Sequence, residues 1–263
     1  MSQTSFMDSV ESGVNRVREV AIATQSLSFS YPDQPDVLCN ISLEICDGER
    51  VGIIGHTGCG KTTLFMLLCG VLKPKSGGIS LFGEPLKQGQ FRPEVGLLFQ
   101  DPDDQLFSAS VWDDIAFGPQ NMGLPPEEVK ARVNHAVEMT GTERLLNRLP
   151  HHLSGGEKQM VAIAGLLAMM PRVILYDEPT ANLDLRTRRR LIRFLQASSE
   201  TLLISAHDLE FILEVCDRVL LIDDGRIIAD GNPKDIMGDQ DLMENHGLEK
   251  PHSLIPHVDP HHP

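Results

Sequence analysis

From Val20 to Tyr31, and again from Val37 to Ile45, apolar and polar residues alternate, the period of two that marks half-buried β-strands. Asp33, Pro35 and Asp36 supply turn chemistry between the two runs. Arg50 to Gly55 (RVGIIG) is a short strand of buried type. After a glycine-rich stretch, an apolar helix is predicted from about Gly60 to Leu72, ended by Lys73-Pro74 and Gly77-Gly78. Ile79 to Phe82 and Val95 to Phe99 predict two further strands.

The middle of the chain changes character. Pro125-Pro126-Glu127-Glu128 opens a helix with proline and acids in its first turn. Val129, Val133, Ala136 and Val137 then form one apolar stripe, and Gly141 closes the helix. Residues from about 101 to 170 are therefore predicted as a mostly helical insertion. Beyond it, strands near 172–177, 201–206 and 218–222 alternate with helices near 184–197 and 208–216. That alternation predicts an α/β fold, a mainly parallel sheet with helices on both faces. No internal repeat or low-complexity tract is present.

Composition narrows the class. The 263 residues suffice for one large core, and 41% hydrophobic with 23% charged residues is the balance of an ordinary globular protein. No run reaches the roughly 18 apolar residues needed to span a bilayer; the longest candidate, Met160 to Tyr176, is broken by Pro171 and Arg172. The first eighteen residues are polar and unpatterned, carry Asp8 and Glu11, and are expected to form a loose arm rather than a secretory signal. Cys39, Cys46, Cys59, Cys69 and Cys216 form no CxxC pair, which fits free thiols in a reducing compartment. The net charge of −14 and pI near 5.1 are the reverse of a nucleic-acid binder's balance. One basic cluster, Arg186, Arg188, Arg189, Arg190 and Arg193, reads as a solvated helix face before it reads as a polyanion grip.

Three motifs carry chemistry. Gly55-His56-Thr57-Gly58-Cys59-Gly60-Lys61-Thr62 fits the phosphate loop G-x-x-x-x-G-K-[ST]. Its glycines let the backbone curl so that successive N–H groups converge on a β-phosphate, and the following helix adds partial positive charge. Lys61 is expected on the β/γ oxygens of ATP, and the Thr62 hydroxyl on Mg²⁺. Val173 to Glu178 (VILYDE) is an apolar strand ending in two carboxylates. Asp177 is expected to hold Mg²⁺ through water, and Glu178 to act as general base on the attacking water. Leu153-Ser154-Gly155-Gly156-Glu157 contains a capping box, Ser154 with Glu157, ahead of an apolar helix from Ala162 to Met170. Two glycines in a first turn cost roughly 1 kcal/mol each, which makes sense if an anion must approach the exposed amides of Gly155 and Gly156.

Taken together, GHTGCGKTT, LSGGE and ILYDEP resemble the ATP-binding-cassette (ABC) ATPases, and the motifs cover residues 20 to 231 in the family's order. The resemblance implies a P-loop NTPase fold with a mainly parallel sheet, an antiparallel β subdomain and a helical insertion. It divides the chain into the arm (1–18), an ATPase domain (19–238, helical part about 101–170) and a His-containing tail (239–263). It extends the nucleotide contacts to Thr63 and Asp184, and makes Tyr31 the aromatic that stacks on adenine. Gln100 resembles the sensing glutamine, which touches the Mg²⁺ site and couples it to a transmembrane partner. His207 resembles the switch histidine that holds the γ-phosphate and water. Two such subunits are implied to sandwich two ATP molecules, each lying on one copy's phosphate loop and under the other's Ser154-Gly155-Gly156. Two positions depart from the pattern. Met160 stands where arginine is usual, and Cys59 where serine or alanine is common, so sensitivity to alkylation is expected.

Phe99 to Phe107 (FQDPDDQLF) and Val111 to Pro119 (VWDDIAFGP) are more particular, and His207 to Phe211 agrees with them. They resemble energy-coupling-factor importers, above all the cobalt and nickel branch. That implies a transmembrane coupling protein, a substrate-binding membrane protein and a peripheral position on the cytoplasmic face of the inner membrane. The acids and Phe107 would line the groove that accepts the coupling helix, or else form a plain connector. His246, His252, His257, His261 and His262 mark the C-terminus as a polar tail or a metal buffer. A vitamin importer, and a soluble cassette protein acting on ribosomes or DNA, are the rival readings.

Overall fold

The computed structural model describes residues 19–181 and 183–255. The expected arm (1–18), Asn182, His257, His261 and His262 lie outside the described residues.

The alternating runs at the start fold as an antiparallel ribbon. β1 (Val20–Tyr31) pairs with β2 (Gln34–Cys46) across a two-residue turn at Pro32-Asp33. Pro35 and Asp36, expected in the turn, belong to β2. Asp36 takes a φ of 56° where the register shifts, a conformation aspartate tolerates. β4 (Ser76–Leu81) covers the other edge of β1, and β5 (Glu84–Pro85) completes a sheet of order β2-β1-β4-β5.

The second sheet has the order β10-β9-β3-β8-β7-β6. β3 (Arg50–Ile54), β6 (Val95–Leu98), β7 (Val173–Asp177), β8 (Thr201–Ser205) and β9 (Arg218–Asp223) are parallel, and β10 (Arg226–Gly231) returns antiparallel on β9. Every residue of β7 and β8 is buried, as strands covered on both faces must be. Alternate side chains enter different cores. Val51, Ile53, Leu175 and Leu203 pack with the antiparallel sheet and α1 (Lys61–Leu68). Ile174, Tyr176, Leu202 and Ile204 pack beneath the remaining helices.

α1 stops earlier than Leu72. Gly70 adopts φ 77°, and the Gly70 and Val71 amides bond back to Leu67 O and Met66 O at 3.0 and 2.9 Å. This left-handed cap ends the helix before Lys73-Pro74 is reached. α2 (Val111–Asn121), α3 (Pro126–Thr140) and α4 (Gly155–Leu167) form a lobe between β6 and β7. α3 buries the stripe Val129, Val133, Ala136 and Val137, and Gly141 caps it at φ 58°. Met160 of α4 is buried in the core, so no charge sits where the family pattern has arginine.

α5 (Leu185–Ala197) carries the arginine cluster, and much of it is spent internally. Arg188 pairs with Asp208 and Glu214, Arg189 with Glu214, and Arg190 donates to Thr140 O. α6 (Leu209–Val215), α7 (Pro233–Gly238) and α8 (Gln240–Asn245) follow. The segment expected as a polar tail is folded as far as it is described. Met243 is buried, Leu248 and Leu254 pack on the core, and Ser253 donates through N and Oγ to Glu210 at 3.0 and 2.6 Å.

Candidate active site

Parallel strands end together at one edge of the sheet, and the loops leaving those ends carry the polar groups. β3 runs into the loop 55–60. A Cβ on Gly55 would lie 2.2 Å from Ile222 O, and one on Gly60 (φ 107°) 2.7 Å from Leu38 Cδ2, so both positions require glycine. α1 opens on that left-handed Gly60 with no side-chain cap and no acid in its first turn. Its first N–H groups are left without side-chain partners at the positive end of the helix. Lys61 is only 7% exposed, and its ammonium donates to Gly55 O (2.8 Å) and His56 O (3.1 Å).

The tips of β7 and β8 are welded to this loop. The Asp177 carboxylate accepts from Thr62 Oγ1 at 2.6 Å and from Ser205 Oγ at 2.5 Å. Glu178 turns at φ 49°, with its N–H donating to Ser205 O (3.0 Å) and Ser205 Oγ (3.2 Å). Its Oε2 accepts from His207 N at 2.9 Å, while Oε1, in a residue only 8% exposed, has no hydrogen-bond partner. His207 Nε2 lies 3.5 Å from both Glu178 Oε1 and Thr57 Oγ1. Tyr31, at the end of β1, places its OH 3.3 Å from Thr63 Oγ1.

Tyr31, Thr57, Gly58, Gly60, Lys61, Thr62, Thr63, Gln100, Asp177, Glu178 and His207 line one cleft of about 260 Å³. A second cleft, about 660 Å³, shares Thr62, Gln100 and Asp177 and reaches Gly155 at the start of α4. Across its mouth Lys158 Nζ pairs with Asp103 at 2.6 and 2.9 Å.

Other expected residues point elsewhere within one chain. The Ser154 side chain and Glu157 cap α4, and backbone and hydroxyl hydrogen bonds from Ser154 hold the Glu157 carboxyl below the usual carboxylate range. Gly156 packs on Thr187, where a Cβ would meet Thr187 Cγ2 at 2.9 Å. Asp184 caps α5, accepting from Arg186 N and Thr187 N at 2.8 and 3.0 Å. His56 turns away from the cleft toward Asp223. Cys59 is 2% exposed, and burial pushes its thiol pKa up. A buried thiol of raised pKa is a poor nucleophile, which counts against the expected alkylation sensitivity.

Ser205 was missed by sequence reasoning, although it stands two residues before His207 at the end of a strand adjoining that of Asp177. A separate apolar groove of about 310 Å³ lies between the loop after β6 and helices α2 and α4. It is lined by Phe91, Phe99, Phe107, Phe117 and Met169, with Phe107 65% exposed and set edge-on to Phe117 at 5.0 Å. Among the described residues, no helix is long and apolar enough to cross a membrane.

A glycine-built loop at parallel strand ends, beside a carboxylate pair and a histidine, defines a nucleotide hydrolase. The chain belongs to the ABC transporter family, whose sequence profile matches residues 38–181, and it is an ATP-binding ATPase of that class. It is 64% identical over 234 residues to an ABC transporter ATP-binding protein of Synechocystis sp., covering 89% of this chain and 82% of the relative. It is 45% identical over 238 residues to an energy-coupling factor transporter ATP-binding protein of Methanothermobacter thermautotrophicus, covering 88% and 76%. Among solved structures it resembles cbiO1 of Clostridium perfringens, part of the ABC transporter complex cbiONQ. That match has a TM-score of 0.77 and 38% identity, and covers 86% of this chain and 94% of cbiO1.

Proposed function

We propose that this ATPase drives uptake of a transition-metal cation, cobalt or nickel, through a transmembrane partner, and that it works as two copies facing each other on the cytoplasmic side of the membrane. One observation carries the coupling: Gln100 lines the nucleotide cleft, and Gln105 and Phe107, a few residues on, line the apolar groove. A helix of the partner seated in that groove would move the loop that borders the nucleotide. The transport reading is supported by the energy-coupling factor relatives and by cbiO1, part of an ABC transporter complex, of which the match covers 94%. The cargo rests on the resemblance of residues 99–107 and 111–119 to the cobalt and nickel branch.

In this reading the amides of 57–63 and the Lys61 ammonium bind the β- and γ-phosphates, and Tyr31 stacks on the adenine. Thr62 and Asp177 would hold Mg²⁺: hydroxyl and carboxylate oxygens 2.6 Å apart form the oxygen-only donor set a hard cation takes. When bound, that ion supplies positive charge against the triphosphate. Ser205 anchors both Asp177 and the Glu178 backbone, so the two acids keep fixed positions. Glu178 Oε1, buried and unpartnered, accepts the proton of the attacking water. His207 orients that water and the γ-phosphate. Ser154, Gly155, Gly156 and Asp184 meet the ATP held by the opposite copy.

The test is to isolate the protein from membranes in mild detergent, identify what accompanies it, and reconstitute the complex in vesicles. Companion integral membrane proteins and ATP-dependent uptake of radiolabelled cobalt or nickel are expected. Uptake of a vitamin in place of the metal would overturn the cargo and leave the engine. Co-purification with ribosomes alone would overturn the transport reading.

A further inference from the structure

His56 belongs to the phosphate loop, yet its ring lies on the loop's outer side. Its Nδ1 is 2.8 Å from Thr57 O. A carbonyl oxygen only accepts, so Nδ1 carries the hydrogen, and Nε2 of the neutral ring presents a lone pair. That Nε2 faces Asp223 Oδ1 at 2.9 Å. Two lone pairs at this separation repel unless a cation, a proton or a metal ion, lies between them. The carboxylate is itself fixed: Oδ1 accepts from Asp224 N at 3.0 Å, and Oδ2 contacts His246 Nδ1 at 2.6 Å. A third donor is at hand, since ligand atoms of His56, Asp223 and Asp224 all lie within 4.8 Å of one another. Ligands about 2.1 Å from a metal at near-tetrahedral or square angles stand roughly 3.0–3.4 Å apart, so the 2.9 Å contact needs little adjustment. The outer shell is also the kind metal sites use, with the second imidazole nitrogen on a backbone carbonyl and the carboxylate held by another side chain.

We propose that His56 Nε2, Asp223 Oδ1 and the Asp224 carboxylate bind one divalent first-row transition-metal ion, with water completing its shell. Mixed imidazole and carboxylate donors suit zinc, cobalt and nickel. The His56 side chain is 41% exposed and Asp224 is exposed, so the ion has an open route. Bound there, it ties the phosphate loop to the turn between β9 and β10. His246 brings the C-terminal segment to the same carboxylate, which gives that segment a place beside the nucleotide loop. The site stands on these side chains and not on the identity of any transported cargo.

The experiment titrates tag-free full-length protein with Co²⁺ and with Zn²⁺, followed by calorimetry and, for cobalt, visible absorption. One ion per chain is expected. Asp224→Asn should weaken binding by roughly tenfold or more, and it keeps the turn, because asparagine accepts the φ of 43° found there. Asp223→Asn should abolish binding, with circular dichroism confirming the fold. A variant with His257, His261 and His262 changed to alanine should bind as the wild type does. Unchanged affinity in both aspartate variants, or binding lost only in the triple histidine variant, would overturn the proposal. So would absence of binding of either ion; nitrogen NMR showing His56 as an imidazolium would then assign a proton to the place proposed for the metal.

Discussion

α1 and α4 both begin at a cleft, and their first turns are built in opposite ways. α1 starts on Gly60 with no side-chain cap and no acid, and with Lys61 beside its free amides. α4 starts on Ser154, whose hydroxyl accepts from Glu157 N at 3.4 Å, while Ser154 N and Oγ both donate to Glu157 Oε2 at 2.9 Å. The first end leaves its donors for an outside anion, and the second satisfies two of its donors, Ser154 N and Glu157 N, from its own chain. Glu157 adds a negative charge next to the amides of Gly155 and Gly156, partly offset by Arg148 at 3.8 Å. The phosphate loop is thus ready to bind by itself, whereas the Ser154 hydroxyl at the α4 end engages an anion only by exchanging partners with Glu157. That asymmetry fits a grip made first by one copy and completed by another.

The largest expected effect separates hydrolysis from both helix ends. Glu178→Gln leaves the two first turns intact and removes the carboxylate proposed to take the water's proton. Turnover should fall by about 10²–10⁴-fold while ATP still binds and holds two copies together, read by phosphate release and by sedimentation. Normal phosphate release would place water activation elsewhere. Lys61→Ala acts on the α1 end alone. Hydrogen bonds from a charged group are worth about 1.5–3 kcal/mol, so ATP affinity should drop roughly ten- to hundredfold, measured with a fluorescent analogue. An unchanged affinity would show that the amides suffice.

Sequence reading reached the α1 end more completely than the α4 end, for a physical reason. The phosphate loop is continuous in sequence, so spacing alone places Gly55, Gly60, Lys61 and Thr62, and the apolar strand before it sets the direction. Asp177 and Glu178 were legible as acids ending an apolar run, and strand order brings Asp177 to Thr62 and Glu178 to His207. Ser154, Gly156 and Asp184 were legible as motif members, but one chain occupies them with local caps and packing. What was not legible depends on contacts between distant segments. Ser205 acts through a neighbouring strand, the segment 239–255 folds on scattered residues such as Met243 and Leu248, and His56 meets Asp223 across the sheet edge. No periodicity announces any of these. The early stop of α1 at Gly70 was signalled by a glycine that Lys73-Pro74 overshadowed.

Ser154→Ala probes the α4 end. Loss of an N-cap hydroxyl costs about 1 kcal/mol, which in a domain of this size lowers the thermal midpoint by roughly 2–4 °C. The larger consequence is expected in ATP turnover, because the hydroxyl leaves with the cap. Turnover that falls no further than the stability loss accounts for would mean that this helix end only caps itself.

The smallest effect is a pH dependence confined to α4. The Glu157 carboxyl is held below its ordinary value first by the Ser154 N–H and then by the Ser154 hydroxyl. A depressed folded pKa stabilises the fold at neutral pH, and that contribution is lost as pH falls from the unfolded glutamate value, about 4.3, through the lower folded one. The side chain is 38% exposed, so solvent screening keeps the effect small. α1 has no acid in its first turn and therefore no counterpart. The comparison is between wild type and Glu157→Gln, since glutamine can still accept from Ser154 N. Every other carboxylate titrates alike in both proteins, so the difference isolates this one. Between about pH 5 and pH 3 the wild-type thermal midpoint should fall further than the variant's. Parallel curves would mean that the ionised carboxylate contributes nothing to the cap, and that the contrast between the two helix ends rests on the Ser154 hydroxyl alone.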